Sequence, residues 1–191
     1  MLLDHTKFIV KSKGKLLSSK KSYEIVDAES GKVVGTAKDT TGFVANLLGA
    51  TEVEVRDSAG DKLLFKVSRS GLLIKKDQVT NPDGQVIGRY KAKMLSIAGG
   101  FHVYDKDGKH LAEIQGKMLK KEYKFVTPDK STEMGTVSSK WDGFAKEMFT
   151  DSDSYVVQVT PKFADDTTTK ILILGATIVV ESILKKAAKS D

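Results

Sequence analysis

The sequence has 191 residues, enough for one domain with a substantial core. Hydrophobic residues make up 40% of the chain and charged residues 29%, as in ordinary globular proteins. The absence of cysteine excludes disulfides, thiolate catalysis and cysteine-ligated zinc. The formal net charge of +6 suits an anionic partner, such as a phospholipid headgroup or nucleic acid; a basic protein with no such partner is the equal alternative.

The N-terminal residues include charged side chains early and no apolar stretch followed by a cleavage site. No signal peptide is therefore predicted, and we expect a cytoplasmic protein.

A weak repeat then organises the chain up to about residue 165. Each copy combines alternating apolar residues, a polar turn and a second alternating stretch. The turns contain Ser30-Gly31, Ala59-Gly60, Asp83-Gly84, Asp107-Gly108 and, in a degenerate copy, residues 127–130.

Gly supplies the positive φ of a tight turn, and Asp or Asn bonds to the neighbouring backbone. The repeat therefore predicts antiparallel hairpins with about ten to twelve short strands. Gly99-Gly100, which precedes one of these strands, is interpreted as a bulge or bend.

Residues 168–187 depart from this pattern and predict a helix that is apolar on nearly every face. Asp165 and Asp166 suit its N-terminus, and Lys185 and Lys186 suit its C-terminus. Its β-branched residues also permit a strand, so the helix prediction depends on length and capping. A bilayer span needs about 20 mostly apolar residues, and the charge-free run 171–180 is about half that length. A helix buried inside the protein is the favoured interpretation, and a membrane anchor is the alternative.

Two adjacent stretches carry a family resemblance. Residues 135–144 read Gly-Thr-Val-Ser-Ser-Lys-Trp-Asp-Gly-Phe, and residues 145–155 read Ala-Lys-Glu-Met-Phe-Thr-Asp-Ser-Asp-Ser-Tyr. Together with Leu174-Gly175-Ala176 in the apolar helix, they resemble the phospholipid scramblase family and its LURP-one-related and tubby-like relatives. The resemblance implies a mainly β fold, a closed antiparallel barrel of about 12 strands around a central hydrophobic C-terminal helix. It also implies a single domain over residues 1–191 and no integral membrane span.

The same resemblance implies calcium-dependent, ATP-independent movement of phospholipids between leaflets. In scramblases the segment that begins at the position of Asp151 is proposed to bind calcium, which would make Asp151, Asp153 and Tyr155 ligands. Here Val156 stands at the mid-loop glycine position and Lys162 at the final acidic position. The alternative is a loop with a capping aspartate and no ion.

Lysines recur along the predicted strands, and such residues ordinarily lie on the face of the sheet that is exposed to solvent. Tubby-like relatives bind phosphoinositide headgroups, so the resemblance implies a lipid-headgroup site in kind. It matches no particular residue here, and Lys91, Lys93, Lys120 and Lys121 are candidates chosen from the basic clusters of the sequence. The chain lacks a nucleophile elbow, a P-loop and a dinucleotide fingerprint, so no enzyme is predicted.

His102 and His110 are expected to form a cross-strand pair on the surface. The leading functional hypothesis is a scramblase-like protein that binds anionic phospholipids or phosphoinositides peripherally. The alternative is a cytosolic adaptor for protein or nucleic acid.

Overall fold

A computed structural model describes residues 1–13, 22–70, 77–92, 100–117, 122–139 and 154–187. These residues form twelve strands, two α-helices and two short 3-10 turns at Leu2–Asp4 and Pro161–Phe163. The strands are β1 (Lys7–Ser12), β2 (Ser22–Asp27), β3 (Val33–Asp39), β4 (Thr51–Asp57), β5 (Leu63–Arg69), β6 (Asp77–Thr80), β7 (Val86–Ala92), β8 (Phe101–Tyr104), β9 (His110–Lys117), β10 (Glu122–Val126), β11 (Glu133–Ser138) and β12 (Ser154–Val159). The helices are α1 (Phe43–Leu47) and α2 (Thr167–Ala187).

The twelve strands form a closed barrel in which each strand pairs with its neighbours in sequence and β1 pairs with β12. Every pairing is antiparallel, so successive strands run in opposite directions. Alternation along each strand directs one set of side chains inward, as with the buried Val53 and Val55 of β4. The predicted closed antiparallel barrel of twelve strands is confirmed.

The predicted hairpin turns are also present. Gly31, Gly60, Gly84 and Gly108 each adopt a positive φ between two paired strands. The degenerate fifth turn contains no glycine, and there the positive φ is adopted by Lys130. The repeat in the sequence therefore corresponds to five hairpins that turn at equivalent places in the barrel.

Helix α2 occupies the interior of this barrel. All of residues 169–180 are buried, so no face of this part of the helix is exposed to solvent. The helix contacts β5, β6 and β7 on one wall and β11 and β12 on the far wall. It begins one residue earlier than the predicted 168–187, because the carboxylate of Asp166 accepts hydrogen bonds from the backbone N–H and hydroxyl of Thr169, at 3.0 and 2.7 Å. The central buried helix is confirmed.

Close approach of α2 to the wall depends on small residues. A Cβ on Gly175 would lie 2.8 Å from both the Tyr90 hydroxyl and Cγ2 of Val79. The Tyr90 hydroxyl donates a hydrogen bond to the carbonyl oxygen of Leu172 at 2.7 Å, and both groups are buried. Burial raises the pKa of Tyr90 well above its usual value, since the phenolate would lose its hydration there. A polar link thus ties the helix to strand β7.

We expect Tyr90→Phe to lower the free energy of unfolding by about 1 kcal/mol at neutral pH, because the Leu172 carbonyl loses this donor. The raised pKa adds a pH dependence. The contribution of Tyr90 to the free energy of unfolding is complete below the ordinary tyrosine pKa of about 10, and it is lost as the pH rises above that value because the tyrosine of the unfolded chain ionises first. Urea unfolding from pH 7 to 11 should therefore show a gap between wild type and variant that narrows above pH 10. Parallel curves across that range would contradict the buried hydroxyl, since the remaining tyrosines are common to both proteins.

Candidate functional site

The two ends of the barrel differ because the strands alternate in direction. Short turns follow β2, β4, β6, β8 and β10, and these lie at one end, which we call the turn end. The links that follow β1, β3, β5, β7, β9 and β11 lie at the opposite end, which we call the connection end. Helix α2 begins at the turn end and runs toward the connection end.

The composition of the links differs between the two ends. Each turn at the turn end contains an acidic residue, and none contains Leu, Ile, Met or Phe. At the connection end, the sequence segments 14–21, 71–76, 93–99 and 118–121 each combine lysine with Leu, Ile or Met and contain no acidic residue. These segments lie outside the described residues, so only their composition and the strands that they join enter the argument. The link between β11 and β12 departs from this composition, because residues 139–153 include Asp142, Glu147, Asp151 and Asp153. The barrel therefore has one end with short polar turns and one end where four of the six links are apolar and basic.

Helix α1 joins β3 to β4 at the connection end, and it exposes large apolar side chains. Phe43 is 79% exposed, Val44 67%, Leu47 69% and Leu48 52%. Within the described part of the chain the other exposed large apolar residues are Met1 and Val33. Covering such side chains with another apolar surface is favourable in free energy. A cluster of them is typical of an interaction site. Sequence reasoning missed this site, although the spacing 43, 44, 47, 48 is that of one helix face.

Exposed lysines stand on the strands that reach the same end. Lys38 is one residue from the end of β3, Lys91 is one residue from the end of β7, and Lys124 is two residues from the start of β10. Of the predicted headgroup residues, Lys91 is thus placed at the connection end. Lys93, Lys120 and Lys121 lie outside the described residues. The headgroup site stays a prediction, and the structure adds Lys38 on β3 and Lys124 on β10 as exposed lysines at the same end of the barrel.

Of the three predicted calcium ligands, Tyr155 is the one that the structure describes. Tyr155 is in β12, paired with Val10, and its side chain is buried in the barrel core. Asp151 and Asp153 lie outside the described residues. Tyr155, from the predicted calcium segment, is in the core, whereas Lys91, from the predicted headgroup site, is exposed on β7. A calcium site thus depends on the two aspartates and stays a prediction.

Among the described residues, no helix combines the length and hydropathy required to cross a membrane. Comparison with curated proteins, and separately with solved structures, found no significant match. A family model described as Scramblase matches residues 17–183. The matched region contains the strands from β2 to β12 and most of α2. The chain therefore belongs to the Scramblase family.

Proposed function

We propose that this protein is a cytoplasmic, scramblase-like protein that binds anionic phospholipid membranes peripherally through the connection end of its barrel. The observation that carries the proposal is the exposure of Phe43, Val44 and Leu47 on α1 and of Leu48 directly after it. Family membership supports a lipid as the partner. Movement of phospholipids between leaflets, the activity that the family resemblance implies, is the second part of the proposal.

The energetics favour a charged membrane over a neutral one. A Phe or Leu side chain contributes up to about 1.5–3 kcal/mol when it is fully removed from water. A single lysine near an anionic surface adds about 1 kcal/mol. One apolar anchor alone holds a protein only weakly, and stable attachment needs a second signal such as a basic patch. The connection end carries the apolar α1 and, distributed over β3, β7 and β10, the exposed Lys38, Lys91 and Lys124.

Flotation with lipid vesicles tests the proposal. We expect wild type to float with phosphatidylcholine vesicles that contain phosphatidylserine or a phosphoinositide, and to float much less with phosphatidylcholine alone. The double variant Phe43→Gln with Leu47→Gln should bind at least about tenfold more weakly, since about 1.4 kcal/mol of lost apolar contact suffices. Both side chains are exposed, so the fold should be unchanged by circular dichroism.

The matched control is Val33→Gln. Val33 is 43% exposed and also belongs to the β3 region, but it lies at the turn end of the barrel. Binding equal to wild type is expected. Flotation that is absent, or that is the same with and without anionic lipid, would remove the membrane proposal and leave the adaptor alternative.

Vesicles carrying a fluorescent phospholipid test the movement of phospholipids between leaflets. That part of the proposal fails if bound protein does not accelerate the exchange of the fluorescent phospholipid between leaflets.

A further inference from the structure

Three metal-ligating side chains meet on the outer face of the hairpin formed by β8 and β9. His102 of β8 pairs with Glu113 of β9, and Tyr104 pairs with His110. The intervening pair, Val103 with Ala112, faces the core. The three residues are His102, His110 and Glu113, and their potential ligand atoms all lie within 4.8 Å of one another. Within the described residues, no other group of three or more such side chains is as close.

A bulge in β9 brings these residues together. In a regular strand, residues three apart point to opposite faces, so His110 and Glu113 would be separated by the sheet. The register shifts between Val103 and Tyr104, so that Leu111 is an extra residue in β9. An extra residue of this kind resets the alternation and turns both side chains to the same face.

The distances suit a first-row transition metal. Nδ1 of His102 lies 3.3 Å from Nε2 of His110 and 3.5 Å from Oε1 of Glu113. Zinc binds histidine nitrogen and carboxylate oxygen at about 2.0–2.2 Å, so two ligand atoms at a tetrahedral ion are about 3.3–3.5 Å apart. Two of the three separations therefore match those of a zinc coordination shell, and all three ligand atoms lie within 4.8 Å of one another.

The surroundings of Glu113 support a ligand role. Gln115 donates a hydrogen bond from Nε2 to Oε2 of Glu113 at 3.2 Å, and Nζ of Lys130 lies 3.7 Å from the same oxygen. Both partners thus engage the oxygen that does not face His102, and such contacts orient a metal-binding carboxylate. The Glu113 side chain is 7% exposed and that of His102 is 30% exposed. An ion at this position would be reached from solvent through the His102 side.

We propose that His102, His110 and Glu113 bind a divalent transition-metal ion, with zinc as the reference ion and water completing its shell. Two imidazoles and one carboxylate suit zinc, cobalt, nickel or copper, whereas calcium prefers oxygen ligands throughout. The site thus differs in its ligand chemistry from the predicted calcium segment.

Calorimetric titration of the full chain with zinc chloride tests the site. We expect one ion per chain, and at least about tenfold weaker binding in His102→Gln and in His110→Gln. His5→Gln is the matched control, since Nδ1 of His5 also faces a carboxylate, 3.2 Å from Oδ1 of Asp27, but lies on another part of the barrel. Its zinc affinity should equal that of wild type.

A second measurement uses cobalt(II), whose visible absorption is intense in a tetrahedral site and weak in an octahedral one. Wild type and His5→Gln should show the intense band, and His110→Gln should not. Zinc should also raise the melting temperature of wild type and leave that of His110→Gln unchanged. Absence of zinc binding, or equal affinity in wild type and His110→Gln, would show that the cluster is only a hydrogen-bonded histidine pair and would overturn the proposal.

Discussion

Replacing Leu174 by alanine is expected to lower the free energy of unfolding by about 2–5 kcal/mol. Leu174 is 1% exposed and lies at the middle of α2, where the barrel surrounds it. The barrel walls are closed by hydrogen bonds between strands, so they cannot collapse freely into the cavity that the substitution leaves. Domains are commonly stable by only about 5–15 kcal/mol, so this single change should remove a large fraction of the total. Urea unfolding at neutral pH measures the effect.

The control makes the same substitution at Leu47 of α1. This leucine is 69% exposed, so Leu47→Ala should change the free energy of unfolding by less than about 0.5 kcal/mol. A loss at Leu174 as small as that at Leu47 would mean that the barrel does not enclose the helix.

Gly100→Ala is expected to lower the free energy of unfolding by more than about 4 kcal/mol, a loss reached only by severe steric or polar defects. Gly100 precedes β8 and has a φ of 87°, which disfavours any residue with a Cβ. An added Cβ would also lie 1.8 Å from the carbonyl oxygen of Ile114 in β9. Relief of that overlap requires the two strands to separate. The prediction of a bend at this glycine agrees with its backbone conformation.

Gly84→Ala separates the two causes. Gly84 has a φ of 82°, close to that of Gly100, but no atom lies within 4 Å of the position of an added Cβ. Only the backbone strain remains, which costs about 1–2 kcal/mol. Soluble yield and thermal unfolding of the two variants should therefore differ strongly. Equal effects would show that backbone conformation alone, and not strand contact, makes Gly100 necessary.

Enclosure of α2 changes which residues are available to a membrane. The most apolar segment of the sequence is buried by the protein itself, so its hydrophobicity stabilises the fold and is not available for lipid contact. Apolar contact with a bilayer must then come from elsewhere, and α1 is the exposed apolar element among the described residues. The proposed membrane contact is therefore a short helix between two strands, at the end of the barrel where four of the six connecting segments are basic.

Local sequence patterns determined the fold class, the hairpin turns and the helix, because alternation, turn glycines and capping residues act over a few positions. Family resemblance added closure of the barrel and the central place of the helix. Tertiary structure alone decided which groups meet. The bulge at Leu111 brings Glu113 beside His102 and His110. Leu111 and Ala112 are both apolar, so alternation in the sequence does not locate the extra residue. Exposure of α1 was likewise decided by packing, since an apolar helix face predicts burial as readily as a surface.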